Sequence, residues 1–322
     1  MCAAIALAAC GYPNNRYDRK IHDDIPGSGS AFSNALYQSV GVEMSAGNRV
    51  KLVENGEIFD EVVAAIDGAK RSIHIELFIW RPSEPSDRVV RALIPKVKQG
   101  VTCRIIIDPI FSVGFDDKVR PELIEAGCDV RYFNPDKKSA MKYLTERTHR
   151  KLVIVDGRLG ITGGFGIWKS WMGAGMTTDE WRDSNLLIEG PAVRGMQQAF
   201  AENWQQVGGA LLPAQDIAGV AAVGTVPAAF VASTPTPGVS DAERMTQLLL
   251  GAAKKRIWIA NSYFIPSAAV SAMLIEKAKE GVEVRILAPG KKMDMKPVRM
   301  AQLSVTRTCS RAACASGSTS RR

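Results

Sequence analysis

The sequence predicts an α/β protein of two homologous βαβ lobes with mixed or parallel sheets, and three observations carry that expectation. Runs such as Ser72–Trp80 and Val101–Asp108 have the unbroken β-branched and aromatic character of buried strands. Between them, apolar residues recur at helical spacing. The strand–helix–strand unit then returns, with Lys255–Pro266 answering Arg71–Trp80 and Lys279–Leu287 answering Lys98–Ile106.

In chain order, an Ala-rich apolar stretch over residues 1–10 leads into a polar segment, residues 11–45, whose Gly27-Ser28-Gly29-Ser30 reads as a tether. The first lobe is expected over residues 46–207. Lys51–Val53 is strand-like, Asn55-Gly56 signals a turn, and Ile58, Val62, Val63, Ile66 and Ala69 fall on one helical face. After the strand Ser72–Trp80, a helix from Asp87 to Lys98 is closed by Gly100, and Val101–Asp108 completes the unit. Gly, Pro and Ala crowd residues 208–237, a linker entering a strand. A partial second lobe follows over 238–301, and 302–322 is a basic tail. No apolar run reaches the roughly 18 residues of a bilayer span.

A chain of 322 residues, 46% hydrophobic and 23% charged, has the length for about two globular domains and a composition that excludes disorder. Its formal charge of +8 is concentrated at one end, where eight cations face one anion between Lys291 and Arg322. The body is nearly neutral, which disfavours a nucleic-acid partner, because such affinity rests on neutralising phosphates. Six cysteines show no metal-ligand spacing, and Cys103 and Cys128 stand alone in strand-like runs. Neither a metal site nor a redox motif nor any other cofactor is expected. With only His22, His74 and His149 present, imidazole chemistry has few possible places.

The segment Thr148–Gly164 reads THRKLVIVDGRLGITGG. In it His149 and Lys151 are followed by Asp156 and then by the pair Gly163-Gly164, an H-x-K-x4-D-x6-G-G spacing. Residues two apart in an extended strand share a face, so His149 and Lys151 project together while Leu152–Val155 anchors them. A neutral imidazole can attack phosphorus, and an ammonium beside it can hold the phosphoryl oxygens as charge builds on them. Asp156 has the opposite parity and precedes Gly157 in a turn, which favours a structural part. The spaced motif resembles the signature of the phospholipase D superfamily, and its cardiolipin synthase-like branch in particular. The resemblance extends from about Val50 to Ala301 and takes in Ser72–Glu76, Trp181–Asp183, Ile188–Val193 and Ser262–Pro266.

That resemblance implies a phospholipase D-like fold, a phosphohistidine intermediate and a catalytic set of His149, Lys151 and Asp156. Glu76, Gly163, Gly164, Arg182 and Asp183 are expected in the pocket or behind it. Arg182-Asp183 reads equally as a structural ion pair, and His74 as a core residue. One local departure is Gly166, where the family commonly carries Asn two residues after the Gly pair. A larger one is that no histidine follows His149, so the second H-x-K pair that would supply the acid for the leaving alcohol is missing.

The tail suggests a cause. Codons compatible with Arg307–Arg321, read two bases on, can spell a segment matching Leu123–Pro135 at Leu, Glu, Gly, Val and Pro, as a frameshift near Ala301 would produce. The alternative is a genuine basic tail that contacts anionic lipid. At the other end, Leu7-Ala8-Ala9-Cys10 resembles the lipobox of bacterial lipoproteins, which implies a lipidated Cys10 and a place at the bacterial cell envelope. The sequence thus points to a phosphatidyltransferase or hydrolase acting on phospholipid at a membrane surface, with a homodimer as one way to complete the site. A nuclease of the same superfamily and a non-catalytic lipid-binding remnant remain as alternatives.

Overall fold

The computed structural model describes residues 20–21, 24–134, 147–234, 240–288, 290, 299 and 302. Residues 1–19 with Cys10, His22, and the tail beyond Gln302 lie outside them. The backbone divides into two compact units, Val42–Pro235 and a second made of Met1–Gly41 with Thr236–Arg322.

In the larger unit, β1 (Ser45–Glu54) precedes α2 (Ile58–Gly68), β2 (Ser72–Leu77), α3 (Glu84–Lys98) and β3 (Thr102–Ile107). Then come α4 (Arg120–Ala126), β4 (Asp129–Tyr132), β5 (Leu152–Val155), β6 (Leu159–Gly163), β7 (Ser184–Glu189), α5 (Val193–Gln206), the single turn α6 (Ala214–Ile217) and β8 (Val226–Ala228). The helix α1 (Gly29–Val40) belongs to the other unit. Eight strands form one mixed sheet in the order β4-β3-β2-β5-β6-β7-β1-β8. Strands β2, β3 and β4 run parallel, and β5, β6, β7 and β1 continue antiparallel from β2.

This topology follows from the residues. All six side chains of β2 are buried, as its apolar run requires of a central strand covered on both faces. One face packs Ile73, Ile75 and Leu77 against α2, α3 and their neighbours through Phe59, Val62, Ile66, Val89 and Leu93. The opposite face packs Leu152 and Ile154 against α5 through Val193, Met196, Phe200 and Trp204. Between β5 and β6, Asp156 and Gly157 both take positive φ, 55° and 63°, and Arg158 N–H donates to the Val155 carbonyl. This is the tight hairpin turn that an Asp-Gly pair favours.

The smaller unit contains α1, α7 (Asp241–Ala252), β9 (Arg256–Ala260), α8 (Ala268–Lys279) and β10 (Glu283–Leu287). Its two strands pair in parallel around a small core of Leu250, Ile257, Phe264, Val270, Met273, Leu274 and Val282. Ser240 and Ser267 cap α7 and α8 by accepting from the N–H groups of Glu243 and Val270.

Three expectations are corrected. Residues 29–40 are not tether but helix α1, because Leu36 and its apolar neighbours find a partner surface on α7. The stretch 208–237 is not all linker: β8 joins the edge of β1, and Asp216 of α6 is buried. Cys103 and Cys128 do not stand alone, since the β3–β4 pairing brings them together as a disulfide with Cα atoms 4.7 Å apart. No helix among the described residues is long and apolar enough to cross a membrane.

Candidate active site at one end of the sheet

The strand pairing decides which residues meet. Glu76 of β2 lies opposite Leu152 of β5, Leu152 opposite Thr162 of β6, and Gly163 opposite Asn185 of β7. The carboxyl end of β2, the start of β5, the end of β6 and the start of β7 therefore fall at the same end of the sheet. His149, Lys151, Gly163, Gly164, Asp183 and Glu76 are gathered there although they span more than a hundred positions.

His149 and Lys151 lie just before β5 and share an aromatic support. The Phe78 ring meets the His149 imidazole edge-on at 4.6 Å between centroids, and the Lys151 ammonium lies 5.2 Å from the same ring. Lys151 Nζ also donates to the His149 carbonyl at 2.7 Å, which fixes the short link between the two side chains. Partial burial, and then the Lys151 charge, bring the His149 pKa down to about 4, so the imidazole is neutral at ordinary pH. Lys151 is buried, which lowers its pKa to about 8 against the opposing pull of Asp183 and Glu76.

Glu76 lies beneath this pair. It is fully buried, and one carboxylate oxygen accepts from Thr148 Oγ1 and from Asn203 Nδ2, each at 2.5 Å. Its other oxygen has no hydrogen-bond partner among the described residues. Burial raises the Glu76 pKa and the two donors oppose it. Through Thr148 this carboxylate holds the backbone next to His149, rather than the imidazole itself. Asp108, at the end of β3, does the same from the other side: it accepts from the N–H of Thr148 and Ile110 and lies 3.0 Å from Arg147.

The Gly pair is explained by what it faces. A Cβ on Gly164 would lie 2.4 Å from Asp183 Oδ1, and one on Gly163 would lie 2.1 Å from Asn185 Oδ1 and 2.8 Å from its Cα. Asp183 uses its carboxylate to accept from Trp171 Nε1 and the Ser184 N–H, and burial raises its pKa. Arg182 is exposed, and among the described residues no ion pair joins it to Asp183. At Gly166, where the family resemblance led one to expect Asn, a Cβ would already touch Ile79 and the Trp171 ring at 3.0 Å.

Asp156 is the motif residue that the fold sets apart. It lies at the opposite end of β5, where its carboxylate accepts from the backbone N–H groups of Lys70, Arg71 and Ser72. It fastens the start of β2 to the hairpin and does not reach His149. His74 is deep in the core, its ring stacked on Phe200 at 4.8 Å, and burial holds it neutral with a pKa of about 4. The nearby Ser72 donates to Asp216, not to His74, so this buried Ser, His and Asp have no nucleophilic geometry. Sequence reasoning missed Asp108, Phe78, Asn185 and Asn203. The one signal was for Asp108, a carboxylate closing an otherwise apolar strand.

The larger unit is a mixed α/β fold with a histidine and a lysine gathered at one end of its sheet. That fold is shared with the crystal structure of phosphatidylserine synthase from Haemophilus influenzae, with a TM-score of 0.58 at 12% identity over 87% of this chain and 73% of that one. The family described as "Cardiolipin synthase, PLD-like domain" matches residues 62–204 and 247–319, and the chain belongs to it. Cardiolipin synthase 1 of Bacillus cereus is 35% identical over 256 residues, covering 75% of this chain and 50% of that protein. Cardiolipin synthase A of Pseudomonas aeruginosa is 30% identical over 264 residues, 80% of this chain and 53% of its own length. The chain thus spans about half the length of the curated relatives it matches.

Proposed function

We propose that the chain is a phospholipase D-type phosphatidyltransferase, cardiolipin synthase-like, that works on phospholipid phosphodiesters through a phosphohistidine at His149. The observation that carries this reading is the His149–Lys151 pair on Phe78, one group neutral and the other cationic. In the first step an imidazole nitrogen attacks phosphorus, the bond from phosphorus to the head-group oxygen breaks, and Lys151 bears the phosphoryl charge. In the second step an incoming alcohol or water displaces the histidine. Asp156, Glu76 and Asp183 act by holding backbone and neighbours in place.

The acid that protonates the leaving alcohol is assigned to His149 of a second copy, whose imidazole must take up a proton beside the substrate phosphate, a state the unpaired chain does not hold at ordinary pH. Exposed Phe111, Val113, Met176 and Trp181 lie on loops after β3 and before β7, toward the same sheet end, and support a lipid surface as the source of substrate. Lipidation at Cys10 is the proposed anchor at the cell envelope. The test is to incubate the full chain with phosphatidylglycerol vesicles and follow free glycerol and the lipid products. Head-group release that grows faster than linearly with chain concentration and is lost in His149→Ala supports the reading. Release that His149→Ala leaves intact overturns it.

A further inference from the structure

We infer that the Cys103–Cys128 crosslink is made by thiol–disulfide exchange in an oxidising compartment, so that the unit Val42–Pro235 matures outside the reducing cytosol. The inference does not depend on Cys10 or on the proposed reaction.

The strand pairing prepares the bond. Arg104 of β3 lies opposite Asp129 of β4, so the residues one step earlier, Cys103 and Cys128, face each other across the parallel pair. Their Cα atoms are 4.7 Å apart, within the span a disulfide bridges. Both are nearly inaccessible, at 2% and 5% exposure, so the finished bond is shielded from thiol reductants. No metal claims them: among the described residues no cluster of His, Cys, Asp and Glu is arranged to hold one. Disulfides of this buried, structural kind persist where thiols are oxidised and are rare in the cytosol.

Formation needs an oxidant, here a disulfide-bearing thiol oxidant of the compartment. One cysteine thiolate attacks that disulfide and displaces one of its thiols. The second cysteine then attacks the mixed disulfide and displaces the other thiol. One sulfur–sulfur bond forms as one is broken, and the two cysteine protons end on the two released thiols. The bond closes a segment that carries Asp108 and Phe111. Asp108 holds the Thr148 backbone, and Phe111 packs on Phe78 at 4.5 Å, so the crosslink steadies the support of the His149 loop.

The experiment expresses the full chain in a bacterial host, quenches the cells in acid, alkylates free thiols under denaturing conditions and digests with trypsin. The expected result is a linked pair of peptides, residues 99–104 and 119–131, lighter by two hydrogens than the two thiol peptides together. Alkyl label on both cysteines overturns the inference. A second readout compares the same purified chain refolded with and without dithiothreitol. The oxidised form is expected to unfold roughly 5–10 °C higher. Equal unfolding temperatures would overturn the structural role of the bond.

Discussion

Strand β2 is buried at every residue, whereas its repeat partner β9 has Trp258 59% exposed, and β10 beside it has Leu287 73% exposed. Both strands open a strand–helix–strand unit of nearly the same pattern. The difference lies in what is added to them. β2 has β3 on one side and β5 on the other, with helices over both faces, while among the described residues β9 pairs only with β10. The His–Lys pair enters the larger unit on the antiparallel addition, at the start of β5, and the glycines and Asp183 enter with β6 and β7. The βαβ unit is thus a platform, and the antiparallel half supplies the chemistry.

If that division of labour is right, the largest effect belongs to the antiparallel half. His149→Ala is expected to lower phosphatidylglycerol turnover by at least about 10³-fold with the unfolding temperature unchanged, as read by kinetics and calorimetry together. The pH profile sharpens the same point. The nucleophilic form of His149 appears as pH rises through about 4, and the Lys151 charge is lost as pH rises through about 8. Plotted against pH, kcat/KM should therefore be bell-shaped between those limbs. A flat profile from pH 5 to 10 would remove Lys151 from the reaction.

On the platform the expected effects are on stability. Ile75→Ala in β2 removes a fully buried side chain and should cost about 2–5 kcal/mol in denaturant unfolding. Asp156→Ala frees three backbone N–H groups and should cost on the order of 2 kcal/mol, with turnover per folded molecule little changed. If turnover instead falls as steeply as in His149→Ala, Asp156 does more than fasten the hairpin. Smallest is Trp258→Ala in β9, whose ring, among the described residues, meets Arg256, Arg285 and Glu283 at the surface and whose loss should cost less than about 1 kcal/mol. A cost as large as that of Ile75→Ala would erase the contrast between the two strands.

Much of this was legible in residue order, and the limits have physical reasons. The apolar runs and helical spacings located β2, α3 and β3 to within a few residues, because burial on both faces leaves its mark on every position of a strand. The same runs could not report that β9 and β10 are exposed, since coverage depends on neighbours far away in sequence. At the site, the fixed spacing exposed His149 and Lys151, and strand parity separated Asp156 from them. Asn203, Asn185 and Phe78 were invisible because each acts through a partner set by pairing or helix packing. The Cys103–Cys128 bond was hidden for the same reason, as nothing in a separation of 25 residues says that two strands lie side by side.

The central claim, that the added hairpin brings a nucleophilic histidine to the platform, is tested most directly by trapping the intermediate. The full chain would be mixed with phosphatidylglycerol vesicles, quenched in alkaline denaturant within the first turnover, digested and searched by mass spectrometry for a phosphatidyl adduct. The adduct is expected on His149 and absent from His149→Ala. Turnover in the wild-type chain with an adduct on another residue, or an adduct that persists in His149→Ala, would contradict it.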